Sequence, residues 1–327
     1  MRQFKNLKGK LMKCFILLFL ITMFLFPNAT FEGASSGLLL WFHTILPTLL
    51  PFIIVSNLII RLNITKQISV LFYPIIRKIF HVSSYGCYPI LIGLISGIPV
   101  GAKSTADLVA DHKISEEEGQ FLITLCNNVS PMFVMSYIAI TQLKLPRIKY
   151  VLFAILYCSA MISALSFRFL YKKKNARKVT AQAILSPDIS ADPVTVKHVS
   201  FRFDNLDSSI MDGFEVITKV GGYIILFSIL AQIVNDIGSK TSYLKLIIIG
   251  ILEITTGINR ICHSSLDQSI KIVLIAVLTS FGGLSSMAQT KSVLVNTRLS
   301  IKTYCKVKVL CAFITLLITL LYVFLFL

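Results

Sequence analysis

The sequence predicts an all-α polytopic membrane protein built from two inverted repeats, on three observations. Hydrophobic residues make up 55% of the chain and charged residues only 14%, a balance typical of membrane proteins. Apolar runs of about 20 residues, long enough to cross a hydrocarbon core, recur along almost the whole chain. One order of elements occurs twice: a span, a broken segment, a broken span and an uninterrupted span.

The N-terminus is basic and then apolar, MRQFKNLKGKLMK followed by CFILLFLITMFLF. It has the form of a signal sequence without a small-residue cleavage site, so we predict an uncleaved signal anchor. The anchor and a short outer loop form the predicted segment 1–36. Residues 37–60 are the next span, kinked by Pro47 and Pro51, and residues 68–80 are an interfacial helix.

The first repeat covers residues 37–170. After the interfacial helix it has a broken segment within 88–112. A span at 119–141 is interrupted by CNNVSP, and the span at 150–170 is uninterrupted. These interruptions place glycine, proline and asparagine where a simple membrane helix would be apolar.

A hydrophilic cytoplasmic linker, residues 171–210, separates the repeats. The second repeat covers residues 211–327. Its elements, in the same order as those of the first, are a span at 213–234, a broken segment at 246–260, a span interrupted by SFGGLSSMAQT at 280–290, and a final span at 306–327.

The basic residues predict the topology. If SGIPVGAK and EITTGIN are the tips of re-entrant hairpins and the N-terminus is cytoplasmic, most Lys and Arg lie on the cytoplasmic side. If both segments crossed instead, the basic YKKKNARK loop would lie outside. We therefore predict seven crossings, two re-entrant hairpins and inverted halves.

Breaks at membrane depth indicate an internal cavity, because unpaired backbone groups are tolerated only where protein buries them or a wet cavity satisfies them. Matching interrupted segments in two halves are typical of secondary transporters, whose substrate sites lie between the repeats. We expect the broken segments of both halves to form one such site.

In the first half, the glycines and proline permit the hairpin turn, and Ser104 and Thr105 can cap the half-helix that follows. The N-terminus of that half-helix, with Lys103 beside it, suits a carboxylate; the alternative is that Lys103 snorkels to the cytoplasmic surface. The predicted substrate-binding residues of this half are Gly97, Pro99, Gly101, Lys103, Ser104, Asn127, Asn128 and Ser130.

In the second half, Glu253 is the sharpest candidate, because a carboxylate in the membrane is costly and usually faces a cavity. It has either a substrate, proton or cation role, or a structural role as partner of a Lys, Arg or Asn. For the small residues the alternative is helix–helix packing. The predicted substrate-binding residues of this half are Glu253, Thr255, Thr256, Asn259, Gly282, Gly283, Ser285 and Gln289.

Other functions lack their signatures in this sequence. The net charge of +17 is assigned to cytoplasmic loops and not to nucleic-acid binding. The seven cysteines form no CxxC pair, and no P-loop, GxGxxG or Ser/His/Asp arrangement is present, so we expect no enzyme, metal site or cofactor. The expected partners are a small organic anion and the lipid bilayer; homo-oligomerisation is left open.

An ordered set of motifs carries a family resemblance: WFHTILPTLLPFIIVSNLI, GLISGIPVGAKSTADLV, ISEEEGQFLITLCNNVSPMFV, GGYIILFSIL, GILEITTGI and SFGGLSSMAQT. With them the chain, from about residue 37 onwards, resembles the sporulation integral membrane protein family of endospore-forming bacteria. That family carries the nucleoside-recognition gate domain, and the resemblance implies a fold like that of concentrative nucleoside transporters. It also implies a location in the outer forespore or mother-cell membrane.

The resemblance implies transport of dipicolinate, since a characterised branch of the family is thought to move it across the outer forespore membrane. We therefore expect a secondary transporter or facilitator of a small organic anion. Two alternatives stay open: transport of a nucleoside-like solute, and a non-transporting protein that organises the spore envelope through the linker 171–210.

Overall fold

The structure is a computed structural model that describes residues 2–62, 64–176, 202–237 and 243–326. Within these ranges the chain is helical and contains no β-strand. Its α-helices are α1 Arg2–Leu25, α2 Pro27–Leu40, α3 Leu46–Arg61, α4 Thr65–Phe80, α5 Cys87–Ser96, α6 Val100–Ala110, α7 Glu116–Cys126, α8 Lys149–Ala176, α9 Phe203–Asp236, α10 Tyr243–Leu252, α11 Ile254–Cys262, α12 Gln268–Phe281, α13 Gly283–Val293 and α14 Ile301–Phe326.

Four helical stretches of the described residues are long and apolar enough to cross a membrane: Pro146–Leu170, Phe203–Asp236, Gln268–Val293 and Ile301–Phe326. A fifth is added if the bent pair at the N-terminus counts as one span. These stretches confirm a polytopic membrane protein. The seven crossings and the inverted relation of the halves stay predictions.

The predicted outer loop before residue 37 is wrong, because residues 27–36 belong to α2. Pro27 begins this helix, where its missing N–H costs nothing. The buried face of α2 is a stripe of small residues, Ala29, Gly33 and Gly37, which packs along α9. Helices α1 and α2 meet at 106° instead of forming one straight span.

The predicted kink of the second span is a π-helical segment, Trp41–Ile45, between α2 and α3. Its cause is Pro47. Proline has no N–H to donate to the carbonyl four residues earlier, and its ring clashes with that carbonyl, so the α-helical hydrogen-bond pattern is interrupted there. A second π-helical segment, Phe133–Gln142, follows the break in the first repeat. The interfacial helix predicted at 68–80 is α4, which begins at Thr65.

Both predicted breaks in the hairpin segments are present. Helices α5 and α6 are joined by Gly97, Ile98 and Pro99, and α10 and α11 are joined by Glu253 alone. The two helices of each pair pack against each other. Gly97 has a φ of 77°, and a Cβ there would lie 2.6 Å from the backbone N of Ser130, so this tip has room only for glycine.

The two broken spans differ in the length of their breaks. In the first repeat α7 ends at Cys126, and helix resumes only at Pro131. In the second repeat Gly282 alone separates α12 from α13, with a φ of 89° that favours glycine. The order of spans and breaks predicted for the two halves is therefore present in the described helices.

The predicted linker 171–210 is shorter than expected. Helix α8 continues to Ala176 and α9 begins at Phe203, so both ends of that segment are helical. The rest of the linker, residues 177–201, lies outside the described residues.

The contact of α2 with α9 generates a prediction about stability. A Cβ at Gly33 would lie 2.7 Å from the Ile229 Cα and 2.9 Å from the Ser228 carbonyl oxygen, neither of which can move without its helix. We expect Gly33→Ala to lower the free energy of unfolding by about 1–3 kcal/mol. Denaturant titration in detergent, read by the fluorescence of the sole tryptophan, Trp41, measures this change.

The matched control is Gly222→Ala on α9, where a Cβ would meet no atom within 4 Å. Its stability should be unchanged or raised by less than about 1 kcal/mol, because alanine favours a helix interior over glycine. Equal stabilities of the two variants would contradict the close approach of α2 to α9.

Candidate functional site

Three cavities follow one another along α9. The first, the Lys103 pocket, is lined by Lys103 and by Asp212, which lies near the N-terminal end of α9. The second, the middle cavity, is lined by Val220 and Ile224. The third, the Arg260 groove, is lined by Arg260 and Gln232. Asp212 and Gln232 are about 20 residues apart, which in an α-helix is about 30 Å, the thickness of a hydrocarbon core. The row therefore extends over a distance comparable to the width of a membrane.

The middle cavity is lined by both hairpin tips and both broken spans. The first hairpin contributes Ser96 and Ile98, and the second contributes Glu253, Ile254 and Thr255. The broken spans contribute the polar residues Ser130, Ser285, Ser286 and Gln289, together with Gly282. The structure thus brings together six of the predicted site residues: Ser130, Glu253, Thr255, Gly282, Ser285 and Gln289.

Among the described residues that line this cavity, Glu253 is the only ionisable one, and it is 1% exposed. It is the N-cap of α11: its carboxylate accepts hydrogen bonds from the Thr256 N–H at 2.7 Å and from the Thr255 hydroxyl. Among the described residues no Lys or Arg forms an ion pair with it. The hydrogen-bond partners of its carboxylate are therefore Thr255 and Thr256 of the helix that it caps, and not the Lys, Arg or Asn of the structural alternative.

Ser96, which the sequence did not single out, is the least satisfied polar group of the middle cavity. Its side chain is fully buried, and its Oγ has no hydrogen-bond partner in the part of the chain that the structure describes. A buried hydroxyl without a partner is costly, so this one is available to a molecule in the cavity.

The middle cavity is the smallest of the three, with a volume of ≈ 70 Å³ against ≈ 650 Å³ for the Arg260 groove and ≈ 260 Å³ for the Lys103 pocket. It has room for roughly five water molecules. Phe133 and Thr255 line both the middle cavity and the groove, so they form the boundary between them. On the other side Val220 and Gln289 are shared with the Lys103 pocket.

The Arg260 groove has a largely polar wall. Arg260 donates to the Gln232 side-chain carbonyl at 2.7 Å, and no carboxylate among the described residues pairs with it. The Gln232 amide nitrogen donates to Glu32 at 2.9 Å and to Asp236 at 3.2 Å. The Gln232 side chain therefore bridges the Arg260 guanidinium and the carboxylates of Glu32 and Asp236. The predicted residues Thr256 and Asn259 lie in this groove, beside Gln142, Ser136 and His43.

Lys103 does not share a cavity with Glu253. It lies in the Lys103 pocket with Pro99 and pairs with Asp107 at 2.8 Å. The other charges of that pocket are paired as well: Lys219 with Glu215, and Asp212 with Arg61 at 2.6 Å. This pocket therefore offers no uncompensated positive charge for an anion.

Ser104 and the glycines Gly97, Gly101 and Gly283 contribute to helices, turns and packing contacts. Ser104 does not cap α6, since that helix begins at Val100 and the Ser104 hydroxyl bonds to the carbonyl of Gly101 inside it. Gly101 packs on the carbonyl of Cys126, and Gly283 packs on the tip of the second hairpin. Gly97 forms the first tip.

Asn127 and Asn128 hold the first break together instead of lining the middle cavity. The Asn127 amide donates to Thr290 Oγ1 at 2.8 Å and to the Tyr304 hydroxyl at 3.0 Å, and that hydroxyl donates back to the Asn127 carbonyl. Asn128 accepts a hydrogen bond from Lys308. These bonds tie the break in the first repeat to α13 and α14 of the second.

Comparison with known proteins finds one informative relative. The sporulation integral membrane protein YlbJ of Bacillus subtilis (strain 168) is 26% identical over 317 residues, covering 90% of this chain and 78% of that protein. The chain is therefore similar to this sporulation membrane protein over most of its length. This confirms the family resemblance predicted from the motifs. No family model and no solved structure matches the YlbJ-like chain, so the gate domain stays a prediction.

The network around Asn127 generates a second prediction. Asn127→Ala leaves buried Thr290 and Tyr304 without their amide donor, so we expect a loss of about 1–3 kcal/mol in unfolding free energy. Asn296→Ala, at an exposed position, is the matched control and should change stability by less than about 0.5 kcal/mol. Denaturant titration in detergent measures both, and equal stabilities would show that the amide network is not needed.

Proposed function

We propose that this YlbJ-like protein is a secondary transporter or facilitator of a small organic anion, such as dipicolinate, that acts in sporulation. The observation that carries the proposal is the row of three cavities along α9, whose middle member is lined by both hairpin tips and both broken spans. The printed name of the Bacillus subtilis relative supports a sporulation membrane protein. The outer forespore or mother-cell membrane is the proposed location.

In the proposed topology the N-terminus is cytoplasmic and the halves are inverted, with seven crossings. The Lys103 pocket then faces the cytoplasm and the Arg260 groove faces the opposite side. A solute would pass from one to the other through the middle cavity. At ≈ 70 Å³ this cavity is too small for an organic acid, so passage requires its walls to move, as in alternating access.

Anion recognition is assigned to Arg260 and not to Lys103. Arg260 lines the largest of the three cavities and has no carboxylate partner among the described residues, whereas Lys103 is paired with Asp107. A guanidinium has five N–H donors, of which one is bonded to Gln232, so it can still bind a carboxylate in the groove. Amides and hydroxyls of Asn259, Gln142 and Thr256 surround that position.

Glu253 sets a condition on this function. An anion in the middle cavity faces a buried carboxylate, and no Lys, Arg or His lines that cavity in the described part of the chain. A proton or a cation at Glu253 would remove the repulsion. We therefore propose that the anion moves together with a positive charge.

A second candidate is a neutral, nucleoside-like solute, and the middle cavity itself favours it. Glu253, Ser96, Ser285 and Gln289 offer the mixture of acceptors and hydroxyls that binds hydroxyl and amide groups. The third possibility, an organiser of the spore envelope, depends on the linker, whose middle the structure does not describe. In none of these is the protein proposed to be an enzyme or to bind nucleic acid or a cofactor.

The proposal predicts dipicolinate uptake into proteoliposomes that contain the purified chain, detected by terbium luminescence inside the vesicles. Arg260→Gln should lower uptake at subsaturating dipicolinate by roughly 10-fold or more, because it removes a charge-assisted hydrogen bond. Arg147→Gln makes the same charge change at an exposed position and should stay within about 2-fold of wild type. Wild-type vesicles no faster than empty ones would overturn the transport proposal.

The role of Glu253 separates the two solutes. If the anion moves with a proton, an imposed proton gradient should accelerate wild-type uptake and leave Glu253→Gln unaffected, because glutamine cannot take up the proton. Excess uridine should leave dipicolinate uptake unchanged. Strong competition by uridine, together with uridine uptake by the same vesicles, would instead establish the neutral solute.

A further inference from the structure

Lys308 is a buried cation in an apolar span. It lies about 10 Å along α14 from Ile301, in the most apolar of the four long stretches, and its exposed fraction is 3%. A lysine at such a position is expected to be paired with a carboxylate, because an isolated buried charge is strongly destabilising.

No carboxylate among the described residues pairs with Lys308. Its Nζ donates to the side-chain oxygen of Asn128 at 2.8 Å and lies 5.7 Å from the centre of the Tyr304 ring. The neighbouring helices α7, α8, α12 and α13 place no Asp or Glu within 4 Å of it. The groups in contact with Nζ are therefore dipoles and not a carboxylate.

One of those dipoles, the Asn128 amide, lies at the end of α7. The helix stops at Cys126, where the partial negative charge of its last carbonyls is concentrated, and Asn128 lies just beyond. The Asn127 side-chain oxygen is buried in the same break and has no hydrogen-bond partner there among the described residues. A helix C-terminus, exposed carbonyls and amide oxygens are the groups with which broken membrane helices bind monovalent cations.

We propose that the end of α7, with Asn128, is a monovalent-cation position that the chain fills with its own Lys308 ammonium. The lysine neutralises the broken helix end from within, so the first break keeps its shape without a cation from solution. This inference does not depend on the transported solute or on transport itself.

The test removes the internal cation and asks whether an external one replaces it. Purified full-length Lys308→Ala in detergent is heated in sodium, ammonium, methylammonium or N-methylglucamine chloride at one chloride concentration. We expect its unfolding midpoint in N-methylglucamine to lie roughly 5 °C or more below wild type. Ammonium or methylammonium should restore it saturably, while wild type gives the same midpoint in all four salts.

Controls separate charge from packing. Lys308→Met fills the space without a charge and should be destabilised in every salt. Lys306→Ala, at an exposed position of the same helix, should show no cation-specific shift. If Lys308→Ala does not fold, Lys308→Gln decides, because it keeps an N–H donor for Asn128 without the charge. Wild-type stability of Lys308→Met or Lys308→Gln, or an Ala variant with one midpoint in all salts, would overturn the proposal.

Discussion

The backbone at the breaks must find its hydrogen-bond partners inside the protein, and the rest of the structure depends on this constraint. At the first break the Asn127 side chain and main chain bond to Thr290 and Tyr304, which belong to the second half. At the second hairpin Glu253 caps its own helix. Because the groups that satisfy one half come partly from the other, the two halves enclose a common cavity between them.

Charge is distributed unevenly along the row of cavities. The Lys103 pocket is internally neutralised by ion pairs, the middle cavity contains a single carboxylate, and the Arg260 groove has a guanidinium without a carboxylate partner among the described residues. Attraction of an anion and its passage through the centre are therefore different electrostatic problems. In the proposed function Arg260 binds the anion at one end of the row, and passage past Glu253 requires a proton or a cation at that carboxylate.

Small residues determine how the long helices approach one another. The stripe of Ala29, Gly33 and Gly37 lets α2 lie directly on the backbone of α9, so α2 extends the second span by more than two turns towards the N-terminus of the chain. In lipid, where apolar side chains gain little by leaving the solvent, close backbone packing of this kind is a main source of helix association. The segment NATFEGASSG has the polar composition of a loop. Its helical signal is the recurrence of a small residue every fourth position, at Ala29, Gly33 and Gly37, which is harder to recognise in a sequence than polarity.

The sequence by itself determined the membrane class and the positions of the four breaks, because each depends on local chemistry. Apolar runs partition into lipid, and at two of the breaks Gly97 and Gly282 adopt the positive φ that glycine favours. Only the tertiary structure decided that Asn127 is a structural link, that Lys103 is paired away from the centre, and that Arg260 and Lys308 are buried or half-buried cations with special surroundings. These properties depend on which side chains from distant segments meet, and the sequence contains no local signal for that.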